Sequence, residues 1–549
     1  MNTQMNTQMN TQMNIHSKHK TIKHKTYSSN ICNLSSNLIS SLTKKTILTN
    51  YKKTISTNIH KFIQSQQPLL NELFKLKDKT NFTFTFTEHV LDSQSNIPPF
   101  IEIFRYLLEK SEPGFISKLS QDEKQYLHKS LSSNNTKQQC YTLIDKFKIG
   151  DKLIEAYNSI IHSSSIKNEL IAKFPSINFH SLLINSFTSF KIIEDLELNI
   201  AKLYCFSVVY NGKKIDNLIY LFMYKDFLKG KIPDTYLNNI GQAIIKRLLF
   251  FNNLLKTNTL PNKLIIFLTN KKKTIDNNVI LHQHFKTINI NTAVTNGQDI
   301  IIYREQELLK SIFHELIHFH NLDFRHIPPE IITYLIKTHN IKPDNTYLLY
   351  ECVTEALANI LNNIFLSSNI IHFEKNFKEE ILFSTLQVAK ILNICKYNNW
   401  DEFSKIDNSI TSSSMNNMNN MNNMNNMNNM NSNPKKHFKQ DSCVMSYYIL
   451  KFYIIFNLDT YFKTCLDTKL KFIQTKESFN NLINIFDISR NDLVLKSIMD
   501  NILNNLQLNK TNITSLKSLK NLKNLKNLKI NKTLRMTCLE SNLFMKNSI

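Results

Sequence analysis

Arginine is scarce in this chain. Of 67 basic residues only six are Arg (Arg105, Arg247, Arg304, Arg325, Arg490 and Arg535), and the rest are Lys. Proteins that read bases and phosphates lean on the bidentate guanidinium fork. The net charge of +24 therefore argues for charge-assisted solubility rather than a nucleic-acid partner. Glycine is scarcer still for the length, 6 in 549 residues. With the abundance of Asn, Ile and Lys, this reads as AT-biased coding. The 8 cysteines (Cys32, Cys140, Cys205, Cys352, Cys395, Cys443, Cys465, Cys538) contain no CxxC pair and no dense framework, as expected of reduced intracellular thiols. The N-terminus has no apolar core of a secretory signal. The most apolar run, Tyr447 to Phe456, is short and carries Lys451, too little to span a bilayer. The sequence thus predicts a soluble intracellular protein with no membrane partner, and it leaves the oligomeric state open.

What is present is a core. Hydrophobic residues make up 42% of the chain, enough to exclude global disorder, and the length allows roughly two to four domains. Residues 1–60 begin with an MNTQ repeat and continue Lys-, Ser-, Thr- and Asn-rich; their composition predicts disorder. Residues 61–199 show helical apolar spacing, with a strand-like alternation in NFTFTFTEH. Residues 200–304 alternate β-rich runs with a helix capped near Asp234, and Gly212 marks a hairpin. Residues 305–406 are helical. Residues 407–440 hold an MNN-repeat spacer, helical patterning resumes over 441–508, and 509–549 is a basic Leu/Lys/Asn tail. The fold class expected is α+β, a small sheet followed by an active-site helix and a mainly helical C-terminal part.

Chemistry concentrates in His314-Glu315-Leu316-Ile317-His318. Residues four apart on a helix differ by about 40° in azimuth, so both imidazoles project from one face and can share a metal. Glu315 sits beside them, within reach of the proton of a metal-activated water. Glu307, Ser311, His314 and His318 make one polar stripe on an otherwise apolar helix. Buried polar groups without partners cost a few kcal/mol each, and a metal would account for the stripe. A third ligand should be a carboxylate or a histidine. Glu351 and Glu355 fall on one face of a later helical segment; Asp323 is a further alternative.

HExxH followed by Glu355-Ala356-Leu357-Ala358 resembles the gluzincin branch of the zincin metalloproteases. The resemblance implies Zn2+ held by His314, His318 and Glu355, with Glu351 the alternative ligand. It implies Glu315 as general base in hydrolysis of a protein or peptide substrate, and a strand over 298–303 that pairs with substrate. The metzincin continuation fails at Asn321 and Phe324, and no GxMEN motif supports an aminopeptidase. Residues 200–500 are also similar to uncharacterised zincin-like proteins of giant DNA viruses, which implies host cytoplasm or virion. Tyr447 and Tyr448 are candidates to stabilise an oxyanion. His320 points away from the shared face and His326 falls in a loop. Two other classes stay open: an inactive zinc-binding structural or virion protein, and a basic nucleic-acid-associated protein. Structural zinc sites usually close with four protein ligands, and no Cys lies beside these histidines.

Overall fold

A computed structural model of the chain describes residues 57–75, 82–90, 100–160, 164–174, 189–210, 213–224, 234–269, 271–275, 279–280, 284–338, 348–404, 439–440, 442–515 and 534–538. The MNTQ repeat, the glycine of the NGKK turn, the MNN spacer and the LKN repeats lie outside them. Eight strands are described: β1 (Phe82–Val90), β2 (Ile200–Tyr210), β3 (Lys213–Tyr224), β4 (Leu264–Phe267), β5 (His284–Phe285), β6 (Ala293–Thr295), β7 (Ile300–Ile302) and β8 (Lys439–Gln440). Six of them form a mixed sheet in the order β1-β2-β3-β4-β7-β6. β1/β2, β2/β3 and β6/β7 are antiparallel, while β3/β4 and β4/β7 are parallel. Tyr210 pairs with Lys213, so β2 and β3 form the expected hairpin. β5 and β8 pair separately.

Side chains on a strand alternate between faces, and the sheet sorts its residues by that period. Tyr204, Phe206, Leu221, Leu264, Ile266, Ile300 and Ile302 enter the larger core. Leu203, Cys205, Phe222, Ile265, Phe267 and Ile301 enter a second core on the opposite face, shared with helices between residues 100 and 199. Strands covered on both faces read as continuous apolar runs, which is why LIIF and III carry no polar alternation. The architecture is mixed α+β, with a small sheet between two helical layers.

The larger core is built by α1 (Thr57–Lys75), α2 (Asp234–Leu255), α3 (Leu308–Phe319), α4 (Tyr350–Phe365), α5 (Ile370–Ile394), a π-helix (Met445–Leu450) continuing into α6 (Lys451–Phe456), α7 (Lys476–Asn491) and α8 (Leu493–Ser515). Packing groups two stretches across the boundaries expected from composition. The 61–199 region divides: α1 buries Ile59, Ile63 and Leu70 in the larger core, β1 joins the sheet, and the helices after Phe100 form the second layer. The tail also contributes inward, since Leu534 and Met536 are buried in the larger core. No helix among the described residues is long and apolar enough to cross a membrane.

Candidate metal centre

The chain leaves β7, turns through Arg304 and enters α3. Arg304 is fully buried, and its guanidinium donates to the carbonyls of Asn291, Lys271 and Ile288. One side chain thereby ties two segments, around Lys271 and over Ile288–Asn291, to the start of α3. Glu307, the residue before the first helical turn, has φ 64. That left-handed conformation costs a non-glycine residue about 1 kcal/mol or more. It is held by a buried ion pair, with Lys273 Nζ donating to Glu307 Oε2 at 2.6 Å.

On α3 both histidines turn their Nε2 atoms to one point. His314 Nε2 and His318 Nε2 lie 3.2 Å apart. Glu351 Oε2, from the first turn of α4, is 3.2 Å from the former and 3.3 Å from the latter. These three are the side chains placed so that they could hold a metal ion. The triangle fits a metal. Bonds of about 2.0–2.1 Å in a tetrahedron put neighbouring ligand atoms about 3.3–3.4 Å apart. Glu351 Oε2 also makes no properly directed hydrogen bond although it is buried, as suits an atom whose partner is a cation.

The outer nitrogens carry the complementary feature. His314 Nδ1 lies 2.9 Å from Glu355 Oε2, and His318 Nδ1 lies 2.7 Å from Asp323 Oδ2. A carboxylate on Nδ1 holds the proton there and leaves the Nε2 lone pair facing inward, which is how metal-ligating imidazoles are oriented. Glu355, the third ligand implied by the motif, lies against His314 Nδ1 instead, and Glu351, the alternative, is the carboxylate that faces both Nε2 atoms. The reason is Lys310, buried one turn before His314. Its Nζ donates to both Glu355 oxygens, at 2.6 and 2.7 Å, and the ammonium pins that carboxylate one helical turn away from the Nε2 atoms. Asp323 likewise stands outside the ligand triangle.

The charge states agree with the geometry. Burial disfavours the ionised form of Glu351, but His318 and His314 outweigh it and hold its carboxyl well below the usual range. Burial opposes the imidazolium of His318, yet Glu351 and Asp323 raise its pKa well above the ordinary value. Glu315 behaves differently. It is buried, its Oε2 has no partner among the described residues, and burial raises its pKa. A base with one oxygen uncommitted at the floor of a cleft can take up a proton.

The cleft measures about 470 Å³ and is lined by the centre, by Tyr350 and Tyr447, by Arg325, and by Asn291 and Ala293 to Gly297. Tyr447 faces His314, with ring centroids 6.0 Å apart. It reaches the cleft from the π-helix, whose wider turn is a recurrent device at functional sites. Tyr448 is turned away and fully buried, so of the two candidate tyrosines only Tyr447 lines the cleft. His320 stacks on Phe251 and His326 is exposed. The strand expected to meet substrate, 298–303, is corrected as well. β7 is interior, between β4 and β6, and the edge at the cleft is β6.

Three participants escape a reading of the sequence: Lys310, Tyr350 and β6. Lys310 left a signal, because a lysine among apolar residues and four before His314 must be buried and needs a carboxylate. Comparison of the chain with protein-family models, curated proteins and solved structures returns no match.

Proposed function

We propose that the chain is a zinc-dependent metallopeptidase of zincin type, with His314, His318 and Glu351 as the ligands. The observation that carries this reading is the pairing of a three-ligand triangle, open on the cleft side, with an unpartnered buried carboxylate, Glu315, on the same helix. A structural site has no use for that carboxylate and would close with a fourth protein ligand.

A zinc ion held there supplies Lewis acidity, which lowers the pKa of a water and polarises a carbonyl. The protein's residues do the rest. Glu315 accepts the proton of the attacking water and returns it to the departing amide nitrogen. Burial holds the Tyr447 phenol well above its ordinary pKa, so it stays protonated and donates to the carbonyl oxygen as charge develops. β6 supplies backbone. Thr292 and Asn296 bond to Tyr303 and Asp299 on the β7 side, and the antiparallel alternation then turns Ala293 and Thr295 outward. Their N–H and C=O groups can receive an extended peptide as an added strand.

The test is metal content by mass spectrometry, followed by a peptide-library screen. About one zinc per chain is expected, lost in His318→Ala and in Glu351→Ala and kept in Glu315→Gln, with cleavage present only in the wild type. Absence of zinc from the wild type after refolding with metal would overturn the reading.

A further inference from the structure

Residues 534–538 run through the protein interior against Glu307 and Lys310. Leu534, Arg535, Met536, Thr537 and Cys538 are all buried, at 5% exposure or less. A buried strand of backbone needs partners for every N–H and C=O, and here they come from five separate segments. Leu534 N donates to the Lys273 carbonyl at 3.0 Å. Met536 N and Thr537 N both donate to Glu307 Oε1, at 2.5 and 2.9 Å. The Met536 carbonyl accepts from Lys451 Nζ on α6 and Asn359 Nδ2 on α4, at 2.9 and 3.2 Å. Thr537 Oγ1 and Cys538 N donate to Glu380 Oε2 on α5, at 2.8 and 3.0 Å.

These contacts join the groups that orient His314. Glu307 precedes α3 by one residue, and Met536 Sδ lies 3.7 Å from Lys310 Nζ. Lys310 in turn holds Glu355, which holds His314 Nδ1. Without the segment, Glu307 Oε1 loses both of its backbone donors while remaining buried and charged. Lys273 stays on Oε2, and Lys310, the next cation that acts on Glu307, is drawn toward the exposed charge at the expense of Glu355. Lys451 loses its carbonyl acceptor and turns toward the same carboxylates. Buried networks of this kind gain from full satisfaction and lose steeply when one member is removed.

We propose that Leu534–Cys538 is an internal strap that positions His314 through Glu307, Lys310 and Glu355, so that the centre reaches full metal affinity only when the strap is docked. The inference rests on the metal-binding half of the proposed function and not on peptide hydrolysis.

The test uses the full chain. Thr537→Pro removes one of the two amide donors to Glu307, and Thr537→Ser keeps both the amide and the hydroxyl. Strap docking is read from alkylation of Cys538 by peptide-mapping mass spectrometry. The centre is read from Co2+ affinity by chelator competition and from the visible bands of bound Co2+. The expected result is an exposed Cys538 in Thr537→Pro, Co2+ affinity about ten- to a hundred-fold weaker, the range for loss of outer partners of a metal ligand, and altered bands, with Thr537→Ser restoring all three. Exposure of Cys538 with affinity within two-fold of wild type and unchanged bands would overturn the proposal. If Thr537→Pro fails to fold, the wild type in a urea series decides: alkylation of Cys538 and release of Co2+ must rise together, and strap release with Co2+ retained overturns it. A wild type that binds no Co2+ sinks the proposed function instead. The strap is then judged by hydrogen exchange alone, with faster exchange of the α3 amides expected in Thr537→Pro and unchanged exchange refuting it.

Discussion

Asp323 lies 2.7 Å from His318 Nδ1, just past the end of α3, where Asn321 takes φ 52. The turn that ends the helix carries the carboxylate back against the second histidine of that helix. Asp323→Asn is expected to keep the fold, because an amide still occupies the space, and, on the proposed reading, to weaken zinc binding about ten- to a hundred-fold. Chelator competition checks it; affinity unchanged within two-fold would show that Asp323 does not orient His318.

Glu351 and Glu355 separate by the kind of damage each substitution does. On the proposed reading Glu351→Ala removes a ligand, so bound metal should be lost, while the metal-free protein loses less than with Glu355→Ala because the two histidines it faces can shed their protons. Glu355→Ala leaves Lys310 charged and unpaired in the core, which costs about 3–5 kcal/mol, while metal binding is weakened and not abolished. Denaturant unfolding of the metal-free variants beside metal analysis resolves the two, and the reverse pattern would exchange their roles.

Acid should unfold the protein through Glu307. Burial pushes its pKa up, but Lys273, Lys310 and Arg535 outweigh that and hold it at about 2. The folded value lies below the ordinary 4.5, so the contribution is present above about pH 4.5 and is lost as pH falls through that value toward 2. The size is on the order of 3 kcal/mol. Its partner Lys273 is lowered to about 8 because burial exceeds what Glu307 returns. The two shifts differ because Glu307 collects three cations, whereas Lys273 also feels the repulsion of Lys310. Urea unfolding of wild type and Glu307→Gln between pH 5 and pH 3 should show a steeper loss in the former, because Glu351 and Glu355, also held below the ordinary range, remain in both. Parallel curves would refute this assignment.

On the proposed reading, β6 binds substrate through its outward groups. Proline is tolerated on an edge strand where the N–H faces away from the sheet, so Ala293→Pro should fold. It should raise KM about ten-fold with kcat nearly kept, as expected when uniform binding is removed. A loss confined to kcat would place β6 outside substrate binding.

The parts of the site that were legible in the sequence lie within one helix. His314, Glu315 and His318 are related by helical geometry alone, so their common face follows from their spacing. The choice between Glu351 and Glu355 was not legible. It depends on how α4 crosses α3 and on which carboxylate Lys310 claims, both of which are tertiary facts. β6 is too short to show alternation. The interior strap was hidden because basic, Asn-rich repeats precede it, and its anchors at Lys273, Glu307, Asn359, Glu380 and Lys451 are scattered along the chain. In the sheet, by contrast, period-two alternation was readable in β1, where NFTFTFTEH alternates, and the strands covered on both faces read only as apolar runs.

The π-helix at Met445–Leu450 amounts to a one-residue surplus in an otherwise α-helical run. A single deletion there would restore ordinary α register and rotate the preceding residues by about 100° relative to α6. Tyr447 would leave the cleft while His314, His318 and Glu351 kept their places. Ligand set and aromatic wall are thus set by separate parts of the chain, and a change in the length of this one turn can alter the wall without touching the ligands.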